Sequence, residues 1–164
     1  MKRRHSRLEE KYLIHFVTTT IVQWIPVFEV AEIANHTLRL FEKYRSAASV
    51  PCLGYVLMPH HFHAMLEGEG ISRVMMNFKK ASSVFIADFA EQKGRRDWLA
   101  AFCREGETHH AGRPRVQVWQ DRYDDVPCYS PYVIHSKLDY IHSNPVRAGL
   151  VDKRIEYAYS SECD

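Results

Sequence analysis

Hydrophobic and polar positions change period several times along the chain, and each change marks an element. Residues 11–21, KYLIHFVTTTI, are dense in β-branched and aromatic side chains and read as a strand. After Pro26, apolar residues fall at Val30, Ile33, Leu38 and Phe41, a helical spacing that predicts a helix over residues 28–46. Residues 50–58, VPCLGYVLM, read as a second strand; Pro59 turns the chain, and residues 61–67 read as a third strand, the return arm of a hairpin. Residues 71–93 predict a long amphipathic helix, with Val74, Met75, Phe78, Val84, Phe85 and Phe89 apolar and Gly94 as its stop. Over residues 95–114 the pattern is poor and predicts a short helix at residues 97–103 and then a loop. One or two short strands are expected around residues 116–119 and 123–126. Ser130 followed by Pro131 predicts a capped helix start, and Pro145 its end, because proline disfavours helical geometry in Asn144. The tail reads as a turn and an irregular end.

This order of strands and helices predicts an α+β sandwich: a mostly antiparallel sheet with helices packed on it, of which the ferredoxin-like arrangement is one solution. A length of 164 residues suits one domain spanning residues 1–164, with residues 1–10 as a charged arm and 95–114 as a variable loop region. Of the three tryptophans, Trp24, Trp98 and Trp119, all are expected in the core.

Charge and cysteine content narrow the class. The net charge of +2 announces no broad basic field, but basic residues cluster at Lys2, Arg3, Arg4 and Arg7, at Lys79 and Lys80, at Arg95 and Arg96, and at Arg113 and Arg115. Local clusters of this kind can bind phosphates. The cysteines, Cys52, Cys103, Cys128 and Cys163, form no C-x-x-C pair and read as reduced thiols. No apolar run is long enough to cross a membrane and no signal-peptide pattern opens the chain, so a soluble, cytoplasmic protein is expected.

The candidate chemistry lies in two stretches. In VLMPHHFHAML, an extended backbone puts His61 and His63 on one face and Phe62 on the other. Two imidazoles projecting together suit one divalent metal, although such a triplet, taken alone, is more often two surface histidines on a half-buried strand. In LDYIHSNPVRAGLV, Ile134, Leu138 and Ile141 form a stripe that packs on the sheet, while Tyr140 and Asn144, one turn apart, lie beside it with Lys137 on the same flank. A phenol is a poor nucleophile at neutral pH, but beside a metal that polarises a phosphoryl oxygen it can form a covalent intermediate.

Together these segments resemble the HUH single-strand transposases with one catalytic tyrosine, and most of all the REP-associated tyrosine transposase branch. The resemblance rests on MPHHFH at residues 58–63, WQDRY at 119–123, YIHSNPVRAGLV at 140–151 and Tyr159-Ser160-Ser161 near the end. It implies a ferredoxin-like fold and a divalent metal, Mg2+ or Mn2+, on His61 and His63, with Asn144 completing the site. It implies that Tyr140 attacks a phosphodiester of hairpin-bearing single-stranded DNA, leaving a 5′-phosphotyrosine link and a free 3′-hydroxyl, in a bacterial protein acting as a monomer or homodimer. Candidate DNA contacts are Lys79, Lys80, Arg122, Tyr123, Lys137 and Arg147.

The chain also departs from that pattern. His60 stands where an asparagine is usual, and is expected to be exposed or to face DNA. Asp124, Asp125 and Pro127 occupy a segment where a basic or polar strand is usual, and His109-His110 reads as solvent-exposed. Two other functions fit the same residues: a domesticated hairpin-binding protein without transposition activity, and a phosphodiesterase that uses water in place of Tyr140.

Overall fold

The computed structural model describes residues 13–108 and 114–163; the N-terminal arm and His109-His110 lie outside them. Strand β1 (Ile14–Thr20) is followed by two short 3-10 turns and helix α1 (Ala31–Ala47). Strands β2 (Cys52–Met58) and β3 (His61–Glu67) form the expected hairpin, then helix α2 (Ile71–Gln92) runs back across the sheet. Helix α3 (Arg96–Phe102), strands β4 (Cys103–Thr108) and β5 (Pro114–Val116), strand β6 (Asp124–Cys128) and helix α4 (Pro131–Arg147) follow, and two 3-10 turns lie in the tail.

The main sheet has the order β2-β3-β1-β6, antiparallel throughout. This is the split βαβ order of a ferredoxin-like sandwich, with both central strands flanked on each side. Side-chain alternation divides the core in two. On one face Val17 of β1, Ile21 just beyond it, and Phe62, Ala64 and Leu66 of β3 pack under α1, α2 and α3. On the other face Phe16, Val56, Met58 and Met65 pack under α4 through Ile141, with Ile134 and Leu138 alongside. Phe62 lies at the centre of the first face, its ring 4.8 Å from that of Phe41 and 5.3 Å from that of Phe78. One strand therefore anchors itself with Phe62 and turns its histidines towards α4.

Several details differ from the sequence pattern. Val84 is exposed, and the buried stripe of α2 runs instead through Ser82, Ile86 and Ala90. Helix α4 does not end at Pro145 but passes through it to Arg147. The lost N–H costs one bond in the last turn. The end is then closed by Gly149 at φ 70, whose N–H donates to the Val146 carbonyl, while Leu150 N–H donates to that of Pro145 at 2.9 Å. This pairing satisfies carbonyls left over at the helix end. Within the stretch expected to be a loop, the described residues of β4 and β5 pair as an antiparallel ribbon with register Cys103↔Val116 and Thr108↔Pro114. Trp119 forms only an isolated bridge to Ile21, and the next strand begins at Asp124.

Trp98 and Trp119 are core residues, but Trp24 is 65% exposed. It sits with Gln23 in the 3-10 turn after β1, and both have φ of 53. Left-handed backbone at a residue with a β-carbon costs about 1–2 kcal/mol, so the turn is held against its own preference. Val22 N–H donates to Val118, and Ile21 N–H to His60, anchoring it at both sides. No helix among the described residues is long and apolar enough to cross a membrane.

Candidate active site

The C-terminal half of β1, the start of β3 and the inner edge of α4 meet at one end of the sheet. The register pairs Thr18 with His63 and Thr20 with His61. The His61 and His63 rings lie 4.7 Å apart between centroids, and the Tyr140 ring lies 5.4 Å from that of His63. Sequence reasoning thus brings His61, His63 and Tyr140 together. It did not single out two residues that hold them. Phe16 stacks on His63 at 5.3 Å and meets Tyr140 edge-on at 6.0 Å, so one ring orients both. Thr18 Oγ1 lies 2.8 Å from His63 Nδ1. The signal available in the sequence was the alternation Phe16, Thr18, Thr20, which shares the face of the two histidines.

The electrostatics suit a neutral ligand pair. Burial, reinforced by the neighbouring His60, pushes the His61 imidazole down to about 4. Burial, with His61 and Lys137 adding to it, pushes His63 down to about 3. With its proton on Nδ1, His63 donates to Thr18 and keeps the lone pair of Nε2. That Nε2 is buried without a hydrogen-bond partner. The amide nitrogen of Asn144, one turn beyond Tyr140, is likewise buried and unpartnered. Rotating the amide presents its oxygen at the same place. A metal ion bound by two imidazoles and one amide oxygen fits this set: it would compensate the buried, unpartnered His63 Nε2 and the Asn144 amide, with the neighbouring His61 imidazole uncharged. Among the described residues no three His, Cys, Asp or Glu side chains gather as an alternative centre.

The candidate DNA contacts divide. The Lys137 ammonium lies 4.5 Å from the centre of the Phe16 ring and 5.8 Å from that of Tyr140, and the Arg147 guanidinium 5.5 Å from that of Tyr140, so two cations flank the phenol. Lys79 instead turns inward: its Nζ donates to the carbonyls of Gln120 at 2.8 Å and Arg122 at 3.0 Å. Burial lowers its ammonium to about 8, against the opposing pull of Asp121. Tyr123 is half-buried, its hydroxyl 3.2 Å from Ser72 Oγ, while Lys80 and Arg122 are exposed. His60 is half-buried beside His61, at 4.7 Å between rings, so of the two expected positions it is not the freely exposed one.

Helix α4 is fixed to the sheet by a contact at Gly54 and a clasp from the tail. A β-carbon at Gly54 would lie 2.8 Å from Leu138 Cδ2 and 3.4 Å from His142 Nε2. Ser161 Oγ accepts from Tyr55 N–H at 2.8 Å and lies 3.0 Å from His142 Nε2, while His142 Nδ1 is 2.7 Å from Glu162. The Tyr157 hydroxyl donates to the Leu57 carbonyl at 2.8 Å.

Fold and site together define a ferredoxin-like α+β protein in which paired imidazoles face a helix-borne phenol. Among solved structures, that of a REP-associated tyrosine transposase bound to a REP hairpin matches over 98% of this chain and 81% of the other, with a TM-score of 0.64 at 17% identity. This likeness establishes the fold. A structure from Deinococcus radiodurans R1, provisionally named a transposase, covers 86% of this chain and 95% of its own at a TM-score of 0.49 and 14% identity. No family model matches the chain, and no curated protein does.

Proposed function

We propose that the chain is a metal-dependent transposase that nicks and rejoins single-stranded, hairpin-bearing DNA through a 5′-phosphotyrosine link. The observation that carries this is the position of the Tyr140 ring, 5.4 Å from His63 and on the face that His61 shares. The fold shared with a hairpin-bound REP-associated tyrosine transposase supports the substrate class.

A divalent cation, magnesium or manganese, held by His61, His63 and Asn144, would supply Lewis-acid polarisation of the scissile phosphodiester. The protein's own groups do the rest. Tyr140 Oη attacks phosphorus and gives up its proton; the P–O bond to Tyr140 forms as the P–O3′ bond breaks, and the 3′-oxygen leaves with a proton. Lys137 and Arg147, flanking the phenol, stabilise the charge that develops on the phosphoryl oxygens. Phe16 holds the phenol and the His63 imidazole in register. Attack by a 3′-hydroxyl on the same phosphorus reverses the step, so the tyrosyl ester conserves the bond energy and no nucleotide is consumed.

The test is a denaturing-gel assay for a covalent protein–DNA adduct, with end-labelled hairpin strands and manganese. Wild type forms an adduct that requires metal, and Tyr140→Phe forms none while still binding the hairpin. Cleavage that survives in Tyr140→Phe would make water the nucleophile. Hairpin binding without adduct or cleavage in wild type would make the chain a binding protein.

A further inference from the structure

Trp24 is an exposed aromatic that the site described above does not use. It projects from a turn in which two successive residues, Gln23 and Trp24, hold φ of 53. An indole could have been turned into the adjoining core, which already contains Ile21, Val27 and Trp119. The backbone instead leaves it 65% exposed. Such unfavourable geometry persists only where the surroundings fix it, and it concentrates at ligand sites.

Its position gives the ligand. The turn follows β1 directly, at the end of the sheet where Thr20 pairs with His61 and where Ile21 N–H donates to His60 at 2.8 Å. Trp24 N–H donates back to the Ile21 carbonyl, keeping the indole within one tight turn of that strand end. Gln120 N–H donates to the Thr20 carbonyl, which brings the exposed Arg122 to the same end. An exposed flat ring, an exposed guanidinium and a candidate phosphodiester-cleaving centre thus lie at the same end of the sheet.

We propose that Trp24 is a base-stacking platform for the single strand that leads to the Tyr140 centre. Resting on the function proposed above, it deepens that reading: one unpaired base lies on the indole face while Arg122 holds a neighbouring phosphate. Stacking is tolerant of base identity, so the platform positions the strand and leaves sequence choice to other contacts.

Trp98 and Trp119 are buried, so a change in indole emission on adding DNA reports chiefly on Trp24. The probes are a labelled hairpin oligonucleotide with a single-stranded tail and the same hairpin without it, tested on the full chain with manganese. Their binding is followed by anisotropy and by tryptophan emission. The tailed hairpin should quench emission in wild type. Trp24→Ala should remove that quenching and weaken binding of the tailed hairpin roughly tenfold, leave the blunt hairpin unaffected, and be partly rescued in Trp24→Phe. Because the side chain is exposed, these variants keep the core intact. Equal affinity of Trp24→Ala and wild type for the tailed hairpin, with no quenching in wild type, would overturn the platform while leaving the proposed function standing. Failure of wild type to bind either probe would overturn both.

Discussion

At the scale of single residues, the sequence His61-Phe62-His63 divides its labour by strand alternation. Phe62 is fully buried between Phe41 and Phe78, so Phe62→Ala should cost about 3–5 kcal/mol, measured by chemical denaturation. His63 depends on a different neighbour. Thr18 Oγ1 is the partner of Nδ1, and with the proton on Nδ1 the lone pair is left on Nε2. Thr18→Val keeps the shape of the side chain and removes that partner. It should weaken manganese binding roughly 10- to 100-fold, read by calorimetric titration, with little change in fold. Unchanged affinity would mean that the imidazole is oriented by Phe16 stacking alone. The pair of histidines was legible in the sequence because a period of two is local. Thr18 and Phe16 were not, because their role comes from register with a strand more than forty residues away.

At the scale of elements, the placement of α4 governs the chemistry. The helix itself was legible: Ser130 Oγ accepts from Val133 N–H as a cap, and the apolar stripe faces the sheet. Its run through Pro145 was not, since the closure by Gly149 and Leu150 depends on backbone beyond the helix. The β4–β5 ribbon was equally hidden, because CREGET carries none of the β-branched or aromatic density that marks a strand, save its final threonine. What brings α4 close to β2 is the absence of a side chain at Gly54. Gly54→Ala sets a methyl 2.8 Å from Leu138 Cδ2, inside contact distance, so helix or side chain must move. Overpacking of this kind costs about 1–3 kcal/mol. Because Tyr140 is two residues from Leu138, Gly54→Ala should also reduce adduct formation by a larger factor than hairpin binding. Equal losses in both would show that the variant acts through stability alone.

At the scale of the whole molecule, the four-stranded order places one buried and one half-buried imidazole side by side, both uncharged, and this couples folding to pH. The folded-state values of His61 and His63, about 4 and 3, lie below the unfolded value of 6.5, the main cause being burial. Between those limits the unfolded chain binds more protons than the folded one. Stability is therefore fully present above pH 6.5 and falls as the pH drops towards 4, by up to about 1.4 kcal/mol per pH unit for each histidine. Denaturant titrations of metal-free protein across that range should show this fall, and replacing both histidines by asparagine should flatten it. A fall of the same steepness in the double variant would assign the acid sensitivity to other groups. Manganese extends the argument. An ion that binds only the folded chain raises stability at neutral pH by mass action, and protons displace it only as the pH nears the folded-state values of the two imidazoles. With metal present, the wild-type curve should lie higher with nearly the same slope from pH 6.5 to about 5, and should lose that gain as the pH approaches 4, while the double variant should show no rise.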